Sequence, residues 1–184
     1  IPGATSLTAL EMDLSSVTRS LERGRAVEPD LLRRMEQLID TTIQDVQRIS
    51  ADLRPGILDD LGLLEAVKWQ LSRFRERTWI ASHYTSSIDG LELSRAGTTA
   101  LFRAFQELLT NTARHALAQN VYVNVSGDSE ALVLTVSDDG RGITREQIEG
   151  RNSLGLIGIQ ERILAAGGNV EIHGSPGQGT TTRI

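Results

Sequence analysis

The sequence of 184 residues contains no cysteine, which excludes a disulfide framework and thiolate metal sites and is compatible with a reducing cytosol. Its three histidines, His83, His115 and His173, are too scattered for a zinc-binding motif. No apolar run approaches the roughly 18 residues of a membrane helix, and the chain opens on no charged-then-apolar leader. We therefore predict a cytoplasmic location for these residues, with any membrane anchor of the parent protein upstream of them.

Basic charge is also scarce, because the formal net charge is -5 at pH 7. A general nucleic-acid binder needs a basic face that displaces counterions from phosphates, so no direct nucleic-acid partner is expected. An anionic ligand would have to be held by local features of the chain instead. With 39% apolar residues, the chain is long enough for one ordinary globular domain and a smaller helical piece.

The first part of the chain has the heptad spacing of helices that pack along a narrow apolar seam. A stop at Gly24, a proline at Pro29 and a capping Asp30 predict an antiparallel helical hairpin over residues 1–55. Two helices cannot enclose their own seam, so the hairpin packs either on the rest of its own chain or on a second copy. The heptad spacing favours the second copy and thus a homodimeric four-helix bundle. The seam positions are Leu7, Leu10, Leu14, Val17, Leu21, Leu32, Met35, Ile39, Thr42, Val46, Ile49 and Leu53.

Residues 56–184 show a different pattern, in which helices alternate with strands. The predicted helices include residues 57–74 and 101–117, and the predicted strands include residues 121–125, 131–137, 169–173 and 180–184. The predicted fold class is therefore α+β: a helical hairpin followed by a two-layer α/β sandwich, whose antiparallel or mixed sheet is covered by helices on one face. We place the domain boundary near Pro55, which gives domains 1–55 and 56–184.

One face of the helix at residues 101–117 carries Glu107, Asn111 and Arg114 at positions i, i+4 and i+7, opposite an apolar stripe. An acid, an amide and a guanidinium therefore project along one line. Such a stripe is equally typical of a solvated helix face, so it predicts a site only in combination with other segments.

A carboxylate ends one of the predicted strands, where Asp138 continues the inward parity of Val136. A carboxylate on the apolar side is costly unless a donor such as the exocyclic amine of adenine meets it. Gly140 and Gly142 remove side chains where a ring would have to approach the backbone closely. The alternative is an acidic turn in which Asp139 and Gly140 only shape the bend.

Two glycine-containing segments follow. Gly155 and Gly158 lie where a helix begins, and the free amides and positive dipole of a helix start can hold phosphate oxygens without a basic surface. The preceding residues 143–152 are polar and lack a packed face, which predicts a mobile lid. Gly179 and Thr180 end a turn, where small residues let a hydroxyl reach a pocket. Taken singly, these segments are equally typical of ordinary helix packing and of a hairpin turn.

The four segments together resemble the four boxes of the GHKL-type (Bergerat) ATPase fold, which DNA gyrase, the ninety-kilodalton heat-shock chaperone, mismatch-repair ATPases and histidine kinases share. In order, the segments are Glu107-x-x-x-Asn111, Asp138-x-Gly140-x-Gly142, Gly155-x-x-Gly158 and Gly177-x-Gly179-Thr180. Four segments further resemble in sequence the nitrate-sensor and desaturase-sensor group of sensor histidine kinases: residues 53–63, 111–116, 138–142 and 154–162.

The resemblance implies ATP and Mg²⁺ as cofactors and assigns the phosphate end of the site. Asn111 is implied as the Mg²⁺ ligand, and Arg114 as a cation that neutralises phosphate charge. Glu107 corresponds to the acid that activates water in the ATPase relatives. Gly155, Gly158 and the lid are implied as the phosphate cradle.

The adenine end is assigned by the same resemblance. Asp138 is implied as the acceptor for the adenine amino group, with Gly142 beside the ring and Thr180 completing the adenine contacts. Gly140 and Gly179 belong to the same boxes and are counted with the cofactor-binding residues.

The family's phosphoacceptor histidine, followed by an acid, lies before the position of Leu7 in the first helix, whereas this chain opens on Ile1 without one. We therefore expect a chain truncated after that histidine, which binds nucleotide without autophosphorylation. His115 is interpreted as part of the surface of its helix and not as the phosphoacceptor. The resemblance implies a response regulator with a receiver domain as the partner.

Three other functions remain open at this point. A gyrase-like or chaperone-like ATPase would need a following domain that contributes a basic residue to the γ-phosphate. A serine kinase of the anti-sigma-factor type shares the ATP boxes but ordinarily lacks a heptad hairpin before them. A non-catalytic dimerisation module would have a decayed pocket, and the intact boxes argue against decay.

Overall fold

A computed structural model of the chain describes residues 2–51, 55–88, 93–128, 130–150 and 154–184. The chain divides into two compact units, Ile1–Arg54 and Pro55–Ile184. The first unit consists of two helices, and the second contains a sheet with helices packed on it, so each is described by itself. Within the described ranges, no helix combines the length and the apolar character needed to cross a membrane.

The first unit is formed by helices α1 (Pro2–Glu22) and α2 (Pro29–Ala51). Gly24 has φ +63, a left-handed conformation that glycine adopts without steric cost, and it follows the end of α1 as predicted. The capping role expected of Asp30 is wrong. Because α2 begins at Pro29, Asp30 lies inside its first turn, where its carboxylate pairs with Arg33 at 3.3 Å.

A bidentate ion pair links the two helices. Arg34 donates through Nη2 to Oδ1 of Asp13 at 2.7 Å and through Nε to Oδ2 at 3.2 Å. The side chains of three predicted seam residues, Leu7, Val46 and Ile49, and the whole of Leu53 lie outside the described part of the chain.

The second unit contains a five-stranded mixed sheet with the strand order β1-β2-β3-β5-β4. The strands are β1 (Ala81–Ile88), β2 (Asn120–Gly127), β3 (Leu132–Asp138), β4 (Glu171–Gly174) and β5 (Thr180–Arg183). β1 and β2 are parallel, and the other neighbours are antiparallel. Asp138 at the end of β3 stands opposite Val121 near the start of β2. The C-terminal end of β3 and the N-terminal ends of β1 and β2 therefore lie at the same end of the strands.

The helices of this unit are α3 (Gly56–Thr78), α4 (Arg95–Asn111), α5 (Arg145–Glu149) and α6 (Leu154–Ala165). α4 follows the N-cap Ser94, whose Oγ accepts from the backbone N–H of Gly97 at 3.1 Å. The sequence predicts that this helix continues to residue 117, but it changes at Thr112 into a π-helical turn, Thr112–Ala116. A break also interrupts α3 at Gly62, whose φ of 72 and ψ of 176 are open in practice only to glycine.

Alternating residues of the central strands form the core. One face of the sheet carries the valines of β2 together with Leu134 and Val136 of β3, and the opposite face carries exposed residues such as Tyr122 and Asn124. The helices cover the apolar face, which is the arrangement that the strand pattern predicts. The largest side chains with less than 2% exposure are Phe102, Phe105, Leu109, Leu134, Ile159, Val67, Val121, Val123 and Val125.

Candidate functional site

The polar face of α4 meets the first turn of α6. At Gly155, the second residue of α6, an added Cβ would lie 2.5 Å from Oε1 of Glu107 and 3.7 Å from Nδ2 of Asn111. A residue without a side chain leaves room here for the carboxylate of Glu107 at the start of α6. The first amides of a helix have no partner within it, and its dipole is positive at this end. The structure thus brings Glu107, Asn111 and Gly155 to a helix start that suits phosphate oxygens.

The π-helical turn Thr112–Ala116 changes the direction of the side chains that follow Asn111. Its wider turn rotates successive side chains by a smaller angle than an α-helix does. Arg114 therefore departs from the straight line with Glu107 and Asn111 that regular helix geometry predicts. Arg114 is exposed at the end of this helix. Turns of this type are frequent at functional sites.

Asp138 ends β3 on the same face as the buried Val136, and Thr180 stands opposite it in β5. One carboxylate oxygen, Oδ1, accepts from the backbone N–H of Gly140 at 2.9 Å. Burial raises the pKa of Asp138 above its ordinary value, against the opposing effect of backbone hydrogen bonds from Gly140 and Thr180. A carboxylate has about four acceptor sites, so Asp138 keeps capacity to accept from the amino group of a ligand.

Three of the predicted glycines are required by the protein's own backbone. An added Cβ would overlap the carbonyl oxygen of Ala116 at Gly140, that of Ser175 at Gly142, and that of Asp138 at Gly179. Gly142 and Gly179 also have positive φ values of +76 and +74. The sequence predicts that Gly140 and Gly142 leave room for a ligand ring. The structure provides a different reason, because protein backbone already fills the space of their missing side chains.

Backbone hydrogen bonds join residues 138–142, here called the acidic loop, to the π-helical turn and to the turn between β4 and β5. The N–H of Arg141 donates to the carbonyl of Ala116 at 2.7 Å, which ties the loop to the π-helical turn. The N–H of Gly179 donates to Gly140 at 2.9 Å and that of Gly177 to Arg141 at 2.7 Å, which ties the loop to the β4–β5 turn. The second and fourth predicted segments are therefore in direct contact, and both connect to the end of the helix that carries the first.

Gly158 and the predicted lid are less closely tied to this arrangement. No atom lies within 4 Å of an added Cβ at Gly158, so this glycine faces open space. Residues 143–152 contain α5, which opens on a capping box between Thr144 and Gln147, and residues 151–153 lie outside the described residues. A groove of about 690 Å³ lies beside α5, and neither Asn111 nor Asp138 lines it. Its lining residues are Arg145, Ile148, Ile172, His173, Gly174, Ser175, Gln178, Gly179 and Thr181.

Asp139 makes side-chain contacts that the sequence does not predict. Its Oδ1 accepts from the backbone N–H groups of Gln119 and Asn120, both at 2.8 Å, and its Oδ2 accepts from Nδ2 of Asn120 at 2.7 Å. These hydrogen bonds, the one from the Asn120 side chain foremost, lower the pKa of Asp139. Nothing local reveals the pair, because the two residues lie 19 positions apart and meet only through the register of β2 and β3.

The oxygen donors at the α4–α6 contact are the Glu107 carboxylate and the Asn111 amide. Mg²⁺ prefers hard oxygen ligands, keeps several waters, and is usually held by one or two protein groups together with substrate phosphates. This donor set fits that mode of binding. Among the residues that the structure describes, no three His, Cys, Asp or Glu side chains are grouped so that they could hold a metal ion.

The C-terminal part of the chain is similar to a known family of ATPase domains. Residues 96–184 match the family model described as "Histidine kinase-, DNA gyrase B-, and HSP90-like ATPase". The matched range contains all four of the segments that resemble ATP boxes. ATP binding is the property that this domain type implies.

Two curated relatives are histidine kinases by name. The chain is 34% identical over 154 residues to the signal transduction histidine-protein kinase/phosphatase DegS of Brevibacillus brevis, a match that covers 83% of this chain and 39% of the relative. It is 36% identical over 150 residues to the sensor histidine kinase MctS of Rhizobium johnstonii, which covers 80% of this chain and 32% of the relative. The chain thus spans less than half the length of either relative.

Solved structures of histidine kinases share the fold. The Acinetobacter baumannii histidine kinase AdeS matches with a TM-score of 0.58 at 15% identity, over 98% of this chain and 95% of that one. The histidine kinase domain of the Erythrobacter litoralis EL346 blue-light activated kinase matches with a TM-score of 0.53 at 20% identity, over 95% and 81% of the two chains.

Proposed function

We propose that this chain binds Mg-ATP and forms the cytoplasmic core of a sensor histidine kinase of the nitrate-sensor and desaturase-sensor group. The observation that carries the proposal is the meeting of Glu107 and Asn111 with the start of α6, and the link from the end of α4 through Ala116 to the loop that begins with Asp138. The similarity to DegS and MctS supports it. In the whole protein, the γ-phosphoryl group would pass to a histidine and then to an aspartate of a response regulator.

At the adenine end, Asp138 accepts a hydrogen bond from the exocyclic amino group of the base. The partly buried carboxylate is already held by Gly140, so its orientation is fixed before the base arrives. Thr180 lies beside it in β5 and adds a hydroxyl to the same end. An acceptor at this position selects adenine over a base that presents a carbonyl oxygen there.

At the phosphate end, the first turn of α6 presents backbone N–H groups, and Arg114 supplies positive charge from the end of the α4 helix. Asn111 would hold Mg²⁺, which neutralises phosphate charge when it is bound, and Glu107 lies beside it as the candidate catalytic acid. Phosphoryl transfer depends mainly on placement and on charge stabilisation, and these groups provide both. The acceptor histidine is expected in the part of the parent protein before Leu7, since none of the three histidines of this sequence lies in α1 or α2.

We propose that residues 1–55 form the dimerisation hairpin and residues 56–184 the catalytic domain. Seam residues of α1 and α2 remain exposed in a single chain: Leu14 is 55%, Leu21 63%, Leu32 45% and Ile39 38% exposed. A four-helix bundle made with a second copy would remove this apolar surface from water. The exposed seam also favours a histidine kinase over an anti-sigma-type serine kinase, which ordinarily lacks such a hairpin.

Replacing both Leu14 and Leu21 by lysine should convert the dimer into monomers. Each leucine loses about 1.5–3 kcal/mol of burial, so the dimer dissociation constant should rise at least about 100-fold. Sedimentation velocity of the 184-residue chain over a concentration series measures this. Met12 is 68% exposed but lies off the seam, so Met12→Lys should leave the dimer intact. A monomeric unaltered chain, or an equal effect of Met12→Lys, would contradict the bundle.

Replacing Asn111 by alanine should weaken the dependence of ATP affinity on Mg²⁺. Even outer partners of a bound metal contribute about 10-fold to its affinity, so the gain on adding Mg²⁺ should fall by at least about that factor. Calorimetric titration with ATP, with and without Mg²⁺, measures the gain. Asn124, which donates to Thr85 at 2.8 Å on the other face of the sheet, is the matched control. An unchanged magnesium response in Asn111→Ala would rule out the metal role, and absence of ATP binding by the unaltered chain would rule out the function.

A further inference from the structure

A single carboxylate fastens the acidic loop to the start of β2. Asp139 accepts three hydrogen bonds of 2.7–2.8 Å there: two come from the consecutive backbone N–H groups of Gln119 and Asn120, and one comes from the Asn120 amide. The backbone N–H of Asp139 donates in return to the Asn120 carbonyl at 3.3 Å. Hydrogen bonds to an ionised acceptor are about twice as strong as neutral ones, so this exposed contact holds the loop firmly.

The Asn120 amide is oriented from its other side. Its Oδ1 faces Nε2 of His83 at 3.4 Å, which leaves Nδ2 directed at Asp139. The His83 ring is itself stacked on Tyr122, with ring centroids 4.7 Å apart and planes at 13°. The donor of the third hydrogen bond is therefore held in place by the neighbouring strand β1.

The contact between Asp139 and residues 119 and 120 is connected along the chain to both ends of the proposed nucleotide site. On one side of Asp139 is Asp138, the proposed acceptor for adenine. Residues 119 and 120 lie three and four positions after the end of the π-helical turn, which itself begins after Asn111, the proposed metal ligand. A ligand that reaches from one end to the other binds well only if the distance between these groups is fixed before it arrives.

We propose that Asp139 is a positioning residue for nucleotide binding: by gripping Gln119 and Asn120 it fixes the acidic loop, and with it Asp138, relative to the helix end that carries Asn111. The inference rests on the proposed function and deepens it. Asp139 touches neither base nor phosphate in this role and acts only through the placement of Asp138.

Removing the grip in Asp139→Ala should raise the dissociation constant for Mg-ATP by about 10-fold, the scale of losing hydrogen bonds to a charged group. Adenosine alone and tripolyphosphate alone should lose less than about 2-fold, because neither reaches both ends of the site. A merely structural defect would weaken all three ligands together. Competition against a fluorescent ADP analogue on the 184-residue chain measures each constant, and circular dichroism checks the fold.

Asp128 provides the matched control. It is also an exposed loop carboxylate, and its Oδ1 accepts from the backbone N–H groups of Glu130 and Ala131 at 2.8 and 3.1 Å, but it lies at the other end of β2. Asp128→Ala should change Mg-ATP affinity by less than about 2-fold, since the nucleotide would not sense that turn.

The reciprocal pair Asp139→Asn with Asn120→Asp keeps one donor and one acceptor between the two side chains, so it should recover most of the affinity that Asp139→Ala loses. Asp139→Asn by itself is a milder variant for use if Asp139→Ala does not fold. Equal Mg-ATP affinities in Asp139→Ala and Asp128→Ala, a uniform loss for all three ligands, or no recovery in the reciprocal pair would each overturn the positioning role while leaving the proposed function intact. Failure of the unaltered chain to bind ATP would overturn both.

Discussion

Replacing Gly142 by alanine should lower the free energy of unfolding of the second unit by about 2–5 kcal/mol, the sum of a left-handed backbone and a backbone clash. The residue has φ +76, and an added Cβ would overlap the carbonyl oxygen of Ser175. The acidic loop and the β4–β5 turn would have to separate, which would also move Asp138 and weaken nucleotide binding. Urea unfolding followed by circular dichroism measures the loss.

The variant Gly177→Ala distinguishes the cost of backbone strain from the cost of the steric clash. Gly177 also has φ +76, but no atom lies within 4 Å of an added Cβ, so Gly177→Ala carries the backbone strain without the clash. We expect Gly177→Ala to cost about 1–2 kcal/mol. Equal losses for the two variants would show that the close approach of the loop to Ser175 does not contribute.

Replacing Asp138 by asparagine should weaken ATP binding by about 100-fold, although the side chains have nearly the same shape. The amide oxygen can keep the hydrogen bond from Gly140, and the amide nitrogen then faces the adenine amino group, which places two donors opposite each other. Inosine triphosphate presents a carbonyl oxygen at that position. The ratio of the affinity for inosine triphosphate to the affinity for ATP should therefore rise in the variant, a change that loss of stability would not produce.

The ATP affinity of the unaltered chain should also depend on pH. Burial raises the pKa of Asp138, so acidification protonates the acceptor at a higher pH than it would an exposed aspartate. ATP affinity should therefore fall as the pH drops through the raised pKa of Asp138. The part of this fall that comes from the Asp138 carboxylate should be absent in Asp138→Asn. Asp128→Asn, at the far end of β2, is the control. Unchanged purine preference in Asp138→Asn would remove this residue from the adenine site.

Local patterns predicted the strands β2 to β5 and the helices α3, α4 and α6, whereas neither β1 nor α5 was predicted from the sequence. The alternation of Val121, Val123 and Val125 is a property of consecutive residues, and the strand β2 follows it closely. Helix ends were harder to predict. Trp79 and Leu117 end their helices with φ 61 and φ 55, and a rule that expects glycine at such positions finds none there.

Sequence alone can propose candidate site residues where they lie close together along the chain, as with Asp138, Gly140 and Gly142. What the sequence could not supply were the contacts between segments. The loop after β3 meets the helical segment after α4 at the hydrogen bond from Arg141 to Ala116. This contact depends on the parallel pairing of β1 with β2 and on strand register, which no short stretch of sequence encodes. The grip of Asp139 on Asn120 is a product of that register.

The break at Gly62 bears on how the ATP-binding part can be prepared alone. It makes residues 56–61 a separate short helical piece, yet Leu58 in that piece is only 3% exposed and Asp59 accepts from Nη2 of Arg95 at 3.2 Å. An expression clone that starts at Leu63 would lack the buried Leu58 and would expose the apolar surface that Leu58 covers, which favours aggregation. A clone that starts at Pro55 retains Leu58 and keeps this surface covered.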